Sequence, residues 1–272
     1  MSTHIIGNDF QKVSFDTSMG GRATSWIYNG LELLAQPNEA NLFGGNYVMA
    51  PWGGRLLDAR INFQEKVYVQ PINNHPWAIH GSTPFHEPTV IEHDATQIVF
   101  EHNLEYELIN WPTGFKVRHS WKVQDSKLIT YIDVRSEHFE IPVVVGWHPW
   151  FLRTLSNGAI ATYDITATGE LATDESQIVT GEIVPTSEGP WDTTFIAPTG
   201  VATIAWSDSL RIDVKTNSKF FVLYDKLAEY VCIEPMSGSP NGNNLIDEGF
   251  GTIVSPGNPL HFEAIWSVSS HS

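Results

Sequence analysis

The sequence predicts an all-β protein, an antiparallel sandwich or barrel, and three observations carry that prediction. Residues 115–123 alternate cleanly: Phe115, Val117, His119, Trp121 and Val123 fall on one face, and Lys116, Arg118, Ser120 and Lys122 on the other. Turn formers are plentiful, with 21 glycines and 16 prolines among 272 residues. Sustained helical periodicity is missing throughout. Sandwiches and barrels of this length are commonly single domains, and nothing marks a linker, so one domain over residues 1–272 is expected.

In chain order, residues 12–34 break into short apolar pieces around Gly20-Gly21 and Asn29-Gly30, which are hairpin turn signals. Residues 42–63 are rich in glycine and read as an irregular loop that delivers Arg55. The alternating strand at 115–123 turns at Gln124-Asp125-Ser126-Lys127 and returns over 128–134. Ile141 and Val143-Val144-Val145 read as a buried strand running into Gly146-Trp147-His148-Pro149-Trp150-Phe151. Further strands are expected at 210–214, 220–224, 230–233 and 261–268.

Composition excludes several classes of function. A net charge of -16 leaves no cationic excess to neutralise nucleic-acid phosphates or to hold an anionic membrane surface. The single cysteine, Cys232, rules out an internal disulfide; between Val231 and Ile233 it reads as a buried, inert thiol. No apolar run is long enough to span a bilayer, and the first residues lack a basic region followed by an apolar one. A soluble, cytoplasmic protein is expected. There is no Gly-x-Ser-x-Gly elbow and no Walker or dinucleotide glycine fingerprint. His75, His80 and His86 do not have metal-ligand spacing, so no metal is expected.

Four polar residues stand beside strand ends in aromatic or glycine-rich settings. Pro149 holds His148 in extended or turn geometry, where its imidazole is walled by Trp147, Trp150 and Phe151. Glu234 follows three apolar residues and precedes Pro235, so it should emerge where a buried strand stops. Partial burial there would raise its pKa and suit it to general-base work. Arg55 follows Ala50-Pro51-Trp52-Gly53-Gly54, and His80 closes Asn74-His75-Pro76-Trp77-Ala78-Ile79. Asp192 lies in a turn-rich loop beside Trp191. Taken singly, each is more often an ordinary structural group. Flat rings beside His, Arg, Asp and Glu nevertheless suit a sugar, whose C–H face packs on aromatics while its hydroxyls need polar partners.

With these residues in view, the chain resembles the aldose 1-epimerase (galactose mutarotase) family over nearly its whole length. Met19-Gly20-Gly21-Arg22 and Leu31-Glu32-Leu33-Leu34 resemble the family's opening hairpins, and Ala50-Pro51-Trp52-Gly53-Gly54-Arg55-Leu56 its arginine motif. Ile79-His80-Gly81 is similar to its His-Gly motif, and Gly146-Trp147-His148-Pro149-Trp150-Phe151 to its His-Pro-Tyr-Phe motif. Ile233-Glu234-Pro235 with Pro240-Asn241-Gly242-Asn243-Asn244 resembles its Glu-Pro and Pro-Asn segment, and Ser255-Pro256-Gly257 its ending. The resemblance implies a large twisted antiparallel β-sandwich, the galactose mutarotase-like supersandwich, working without a cofactor. It implies an isomerase that interconverts the anomers of a free aldose. It also implies Glu234 as general base, His148 as general acid, and Arg55, His80 and Asp192 as substrate contacts, while Trp147 and Trp150, the rings beside His148, are expected to pack against the sugar.

On this reading the acid and base stand on opposite sides of the sugar ring, facing each other across a cleft. The partner is a small sugar, with no nucleic acid and no membrane, and the protein is a monomer or homodimer. The alternatives are a hexose-6-phosphate mutarotase of the same fold and a non-catalytic carbohydrate-binding protein. Fifteen basic residues disfavour the first, and retention of both Glu234 and His148 disfavours the second. Gly54, where many relatives carry Asn, and Trp150, in place of Tyr, are departures that alter the pocket wall.

Overall fold

The structure is a computed structural model that describes residues 3–37, 42–104, 111 and 114–270. Two large antiparallel sheets, one of twelve strands and one of eight, dominate the described residues, with two two-stranded ribbons beside them. Among the described residues the only helical pieces are three-residue 3-10 turns, so none is long and apolar enough to cross a membrane. The predicted turns form as their residues dictate. Asn29 and Gly30 both take positive φ (47° and 81°) between the strands Arg22–Tyr28 and Leu31–Glu32, as a two-residue hairpin requires.

The alternating segment is the strand Phe115–Gln124, with its five predicted inward residues all buried. It pairs with Lys127–Ser136 across the expected turn. Tyr230–Met236 and Leu260–Ser270 also form, each longer than the sequence indicated. The valine-rich segment differs from expectation. Ile141–Val143 pairs with Thr252–Val254 in a separate two-stranded ribbon, and the segment enters the large sheet only from Gly146 onward.

The sheets pack face to face on aromatic contacts that cross the interface. Phe15 meets Trp121 at 5.2 Å between ring centroids, and Trp26 meets Trp266 at 6.3 Å. Such pairs add about 0.5–1.5 kcal/mol each beyond the area they bury. A second, smaller apolar cluster of Tyr47, Met49, Val144, Val179, Phe220, Val222 and Met236 lies on the other face of the twelve-stranded sheet. The central strand Phe220–Tyr224 therefore buries both faces, with Phe221 and Leu223 in the main core and Phe220 and Val222 in the second cluster. The candidate site opens on this second face.

Candidate active site

Strand register assembles the site before any loop contributes to it. Gly146–Pro149 bonds to Tyr230–Met236 at Gly146 and Met236, and Phe151–Leu152 rejoins the same strand at Phe151 and Val231. Those two bridges share one antiparallel register, so His148 lies directly opposite Glu234, and Trp150 opposite Cys232. Pro149 and Pro235 carry no N–H and interrupt the ladder between the bridges. On its other side His148 is paired with Tyr47, and Glu234 with Val222, which in turn opposes Thr194. One row of cross-strand neighbours, Tyr47, His148, Glu234, Val222 and Thr194, thus floors a cleft of about 220 Å³. The adjoining row runs Trp150, Cys232, Tyr224, Asp192.

Glu234 therefore sits inside a strand and Asp192 begins one, which corrects the strand-end and loop settings expected for them. Trp147 is corrected too. Side chains alternate along a strand, so with His148 facing the cleft, Trp147 must face the core. It is fully buried there, 4.5 Å from the Trp121 ring, and lines no part of the cleft. Arg55, His80, His148, Trp150, Asp192 and Glu234 all line it.

His148 Nε2 lies 3.3 Å from Glu234 Oε1, with both residues buried. The imidazole is held between two parallel rings, Tyr47 at 4.8 Å and 21° and Trp150 at 5.3 Å and 19°. Tyr47 Oη and Trp150 Nε1 both donate to the Leu42 carbonyl at 3.1 Å, which fixes the clamp. The two groups expected to act as acid and base are not divided across the cleft; they are neighbours on one floor. Burial pushes the Glu234 carboxyl well up, with the Asp192 charge adding and Arg55 opposing. Burial, aided by Arg22, lowers His148 to about 3. The pair as a unit favours its uncharged form, one proton shared between carboxyl and imidazole.

The remaining groups come from loops. Gly54, at φ +66°, turns the chain so that Arg55 bridges to Ile79. Arg55 Nη2 meets Asp192 Oδ2 at 3.3 Å, and its guanidinium lies over the Trp77 ring at 4.9 Å. Asp192 also faces Lys226 Nζ at 3.9 Å. His80 takes φ 60° and donates its backbone N–H to the Gly54 carbonyl, while Gly54 N donates to His80 Nδ1 at 3.3 Å. That bond places the proton of neutral His80 on Nε2. Burial first, then the proximity of His148 and of the Arg55 cation, lowers His80 well below its ordinary value. Asn241 accepts from Leu57 N, which ties the Pro240–Asn244 segment to the arginine loop.

Sequence reasoning did not single out Tyr47, Tyr224 and Thr194 on the sheet, or Asn74 and Gln177 on the rim. The strand pattern marks Tyr224 as a strand residue, while Thr194 falls in the segment read as a turn-rich loop, and only pairing shows which neighbours they meet.

The aldose 1-epimerase family profile matches residues 9–204, most of the chain, and the protein belongs to the aldose 1-epimerase family. Its fold is that of solved galactose mutarotase-like proteins. An aldose epimerase homologue from C. elegans superposes with a TM-score of 0.83 at 16% identity, covering 100% of this chain and 99% of its own. A galactose mutarotase-like protein from Clostridium acetobutylicum gives 0.83 at 17%, covering 98% and 94%. A galactose 1-epimerase from Lactobacillus acidophilus gives 0.76 at 15%, also covering 98% and 94%. At these identities the likeness extends to the fold alone. No curated protein sequence matches the chain.

Proposed function

We propose that the protein is a mutarotase that opens and recloses the ring of a free aldose by proton transfer through Glu234 and His148. The observation that carries this reading is the 3.3 Å contact between the two groups on the floor of a sugar-sized cleft. The anomeric hydroxyl oxygen and the ring oxygen are bonded to the same carbon. A base for one and an acid for the other must therefore be adjacent, and these are. A cleft of this volume falls below the roughly 300–1,000 Å³ typical of drug-sized ligands and suits a single ring.

In the opening step Glu234 takes the anomeric hydroxyl proton while His148 gives its proton to the ring oxygen. The bond from the anomeric carbon to the ring oxygen breaks, and the aldehyde forms. The shared proton first moves from carboxyl to imidazole, and the step then returns the pair from carboxylate and imidazolium to carboxylic acid and imidazole, the form that burial favours. Rotation about the bond to the aldehyde carbon presents its other face, and the same two protons return. Arg55, held by Asp192 and Trp77, and the Nε2–H of His80 are the donors that orient the sugar. Trp150 offers an apolar wall for its C–H face.

The substrate is read as unphosphorylated, because Arg55, the cation lining the cleft among the described residues, is already paired with Asp192, which Lys226 also faces, so no phosphate cluster forms. Polarimetry on freshly dissolved α-D-galactose and α-D-glucose is the test. Wild-type protein should speed mutarotation, and Glu234→Gln should lose about 10²–10⁴-fold. Equal rates for the two proteins on every aldose tried would overturn the assignment. A parallel run on glucose 6-phosphate tests the phosphorylated alternative.

A further inference from the structure

Cys232 was expected to be inert, but strand register sets it beside the acid/base pair. It lies two residues from Glu234 on the same face of one strand and opposite Trp150 on the next. A nitrogen of His148, the Cys232 sulfur and a carboxylate oxygen of Glu234 lie within 4.8 Å of one another, and all three residues are buried. We propose that these three side chains form a binding site for a thiophilic divalent cation, zinc or cadmium, which blocks the cleft by occupying the acid/base pair.

The donor set selects such an ion. Thiolate with imidazole and carboxylate suits zinc, whereas magnesium and calcium require all-oxygen ligation. A tetrahedral zinc has bonds of about 2.0–2.3 Å, so its ligand atoms stand roughly 3.3–3.6 Å apart. His148 Nε2 and Glu234 Oε1 already stand at 3.3 Å, and the sulfur closes the triangle after a movement of about 1 Å. Three protein ligands leave a fourth position open, toward the cleft that His148 and Glu234 line.

Charge also balances. Binding sends two protons to solvent, one from the Cys232 thiol and one from the Glu234–His148 pair. The ion's two positive charges are then met by one thiolate and one carboxylate, so a buried neutral site stays neutral. Sugar and metal require the same two groups and should exclude each other.

The test titrates the protein with cadmium and follows the ultraviolet thiolate-to-cadmium charge-transfer band, with zinc followed by calorimetry in two buffers to count protons. One ion per chain and two protons released are expected, with no response to magnesium. Cys232→Ala should lose the band, retain mutarotation in the presence of a chelator, and need on the order of 100-fold more zinc for inhibition. That exceeds the lower end of the 10–100-fold range that even a supporting contact commands. Cys232→Ser, closer in volume, guards against a packing defect in the alanine variant. Glu234→Gln should weaken the cadmium band, a readout that needs no activity.

Cadmium binding unchanged in both Cys232→Ala and Glu234→Gln would place the ion elsewhere and overturn the site. Only inhibition rests on the mutarotase reading. A protein that binds cadmium through Cys232 yet speeds no mutarotation would keep the site and refute the reading.

Discussion

Gly54 offers a sharp test of how the loop holds Arg55. A Cβ at this position would lie 2.4 Å from Pro240 Cβ and 3.2 Å from its Cα, where ordinary carbon contacts are about 3.5–4.0 Å. Pro240 cannot retreat freely. Ser239 N donates to Phe250 O at 2.8 Å, and Asn241 Nδ2 donates to Val179 O at 3.1 Å. Overpacking of this kind costs about 1–3 kcal/mol. The left-handed φ of +66° adds about 1–2 kcal/mol for an ordinary L-residue and less for Asn. Gly54→Ala should therefore lose roughly 2–5 kcal/mol, and Gly54→Asn about 1 kcal/mol less.

At this chain length each kcal/mol lowers Tm by about 2–4 °C, so calorimetry should show a fall on the order of 10 °C for the alanine variant. Because Gly54 N also donates to His80 Nδ1, and Arg55 is the next residue, kcat/KM for mutarotation should fall about 10²-fold through misplacement of about 1 Å. A Tm within about 1 °C of wild type for Gly54→Ala would refute the steric argument. Full recovery by Gly54→Asn would show that φ alone, and not Pro240, constrains the position.

Trp147 and Trp150 should separate cleanly in mutagenesis. Trp147→Ala removes a fully buried ring and should cost about 3–5 kcal/mol in urea unfolding, while Trp150→Ala releases the clamp on His148 and should lower kcat/KM with a smaller stability change. His119→Phe should cost about 2–4 kcal/mol, because it leaves Trp121 Nε1, which donates to His119 Nδ1 at 3.1 Å, and the His102 ring at 3.3 Å without their partner. A urea midpoint unchanged in that variant would refute the buried hydrogen-bond chain.

Stability should also fall as pH drops. Burial holds His102 and His148 at about 3, and His80 and His119 well below their ordinary value. Below about pH 6.5 the unfolded chain takes up protons that the native state refuses. The stabilisation is complete above that pH and fades toward pH 3, by about 1 kcal/mol per pH unit for His102 alone. The raised carboxyl of Glu234 works in the opposite direction, as one group against four. Urea midpoints at pH 7 and pH 5 read the difference; equal midpoints would show that the buried histidines titrate normally.

The sequence by itself determined the fold class, the Phe115–Gln124 strand and its hairpin, and the polar residues that converge on the cleft. Alternation, turn residues and motif order are local properties, and each is written within a few neighbouring positions. Tertiary structure alone decided that Glu234 lies in register with His148, that Trp147 and Trp150 part to opposite faces, and that Asp192 shares a row with Cys232. Register depends on bonds between segments distant in sequence, as Gly146 is from Met236, and shifting a strand by one residue exchanges its two faces. The side chains are therefore legible in the sequence, while their neighbours are fixed only when the sheet closes.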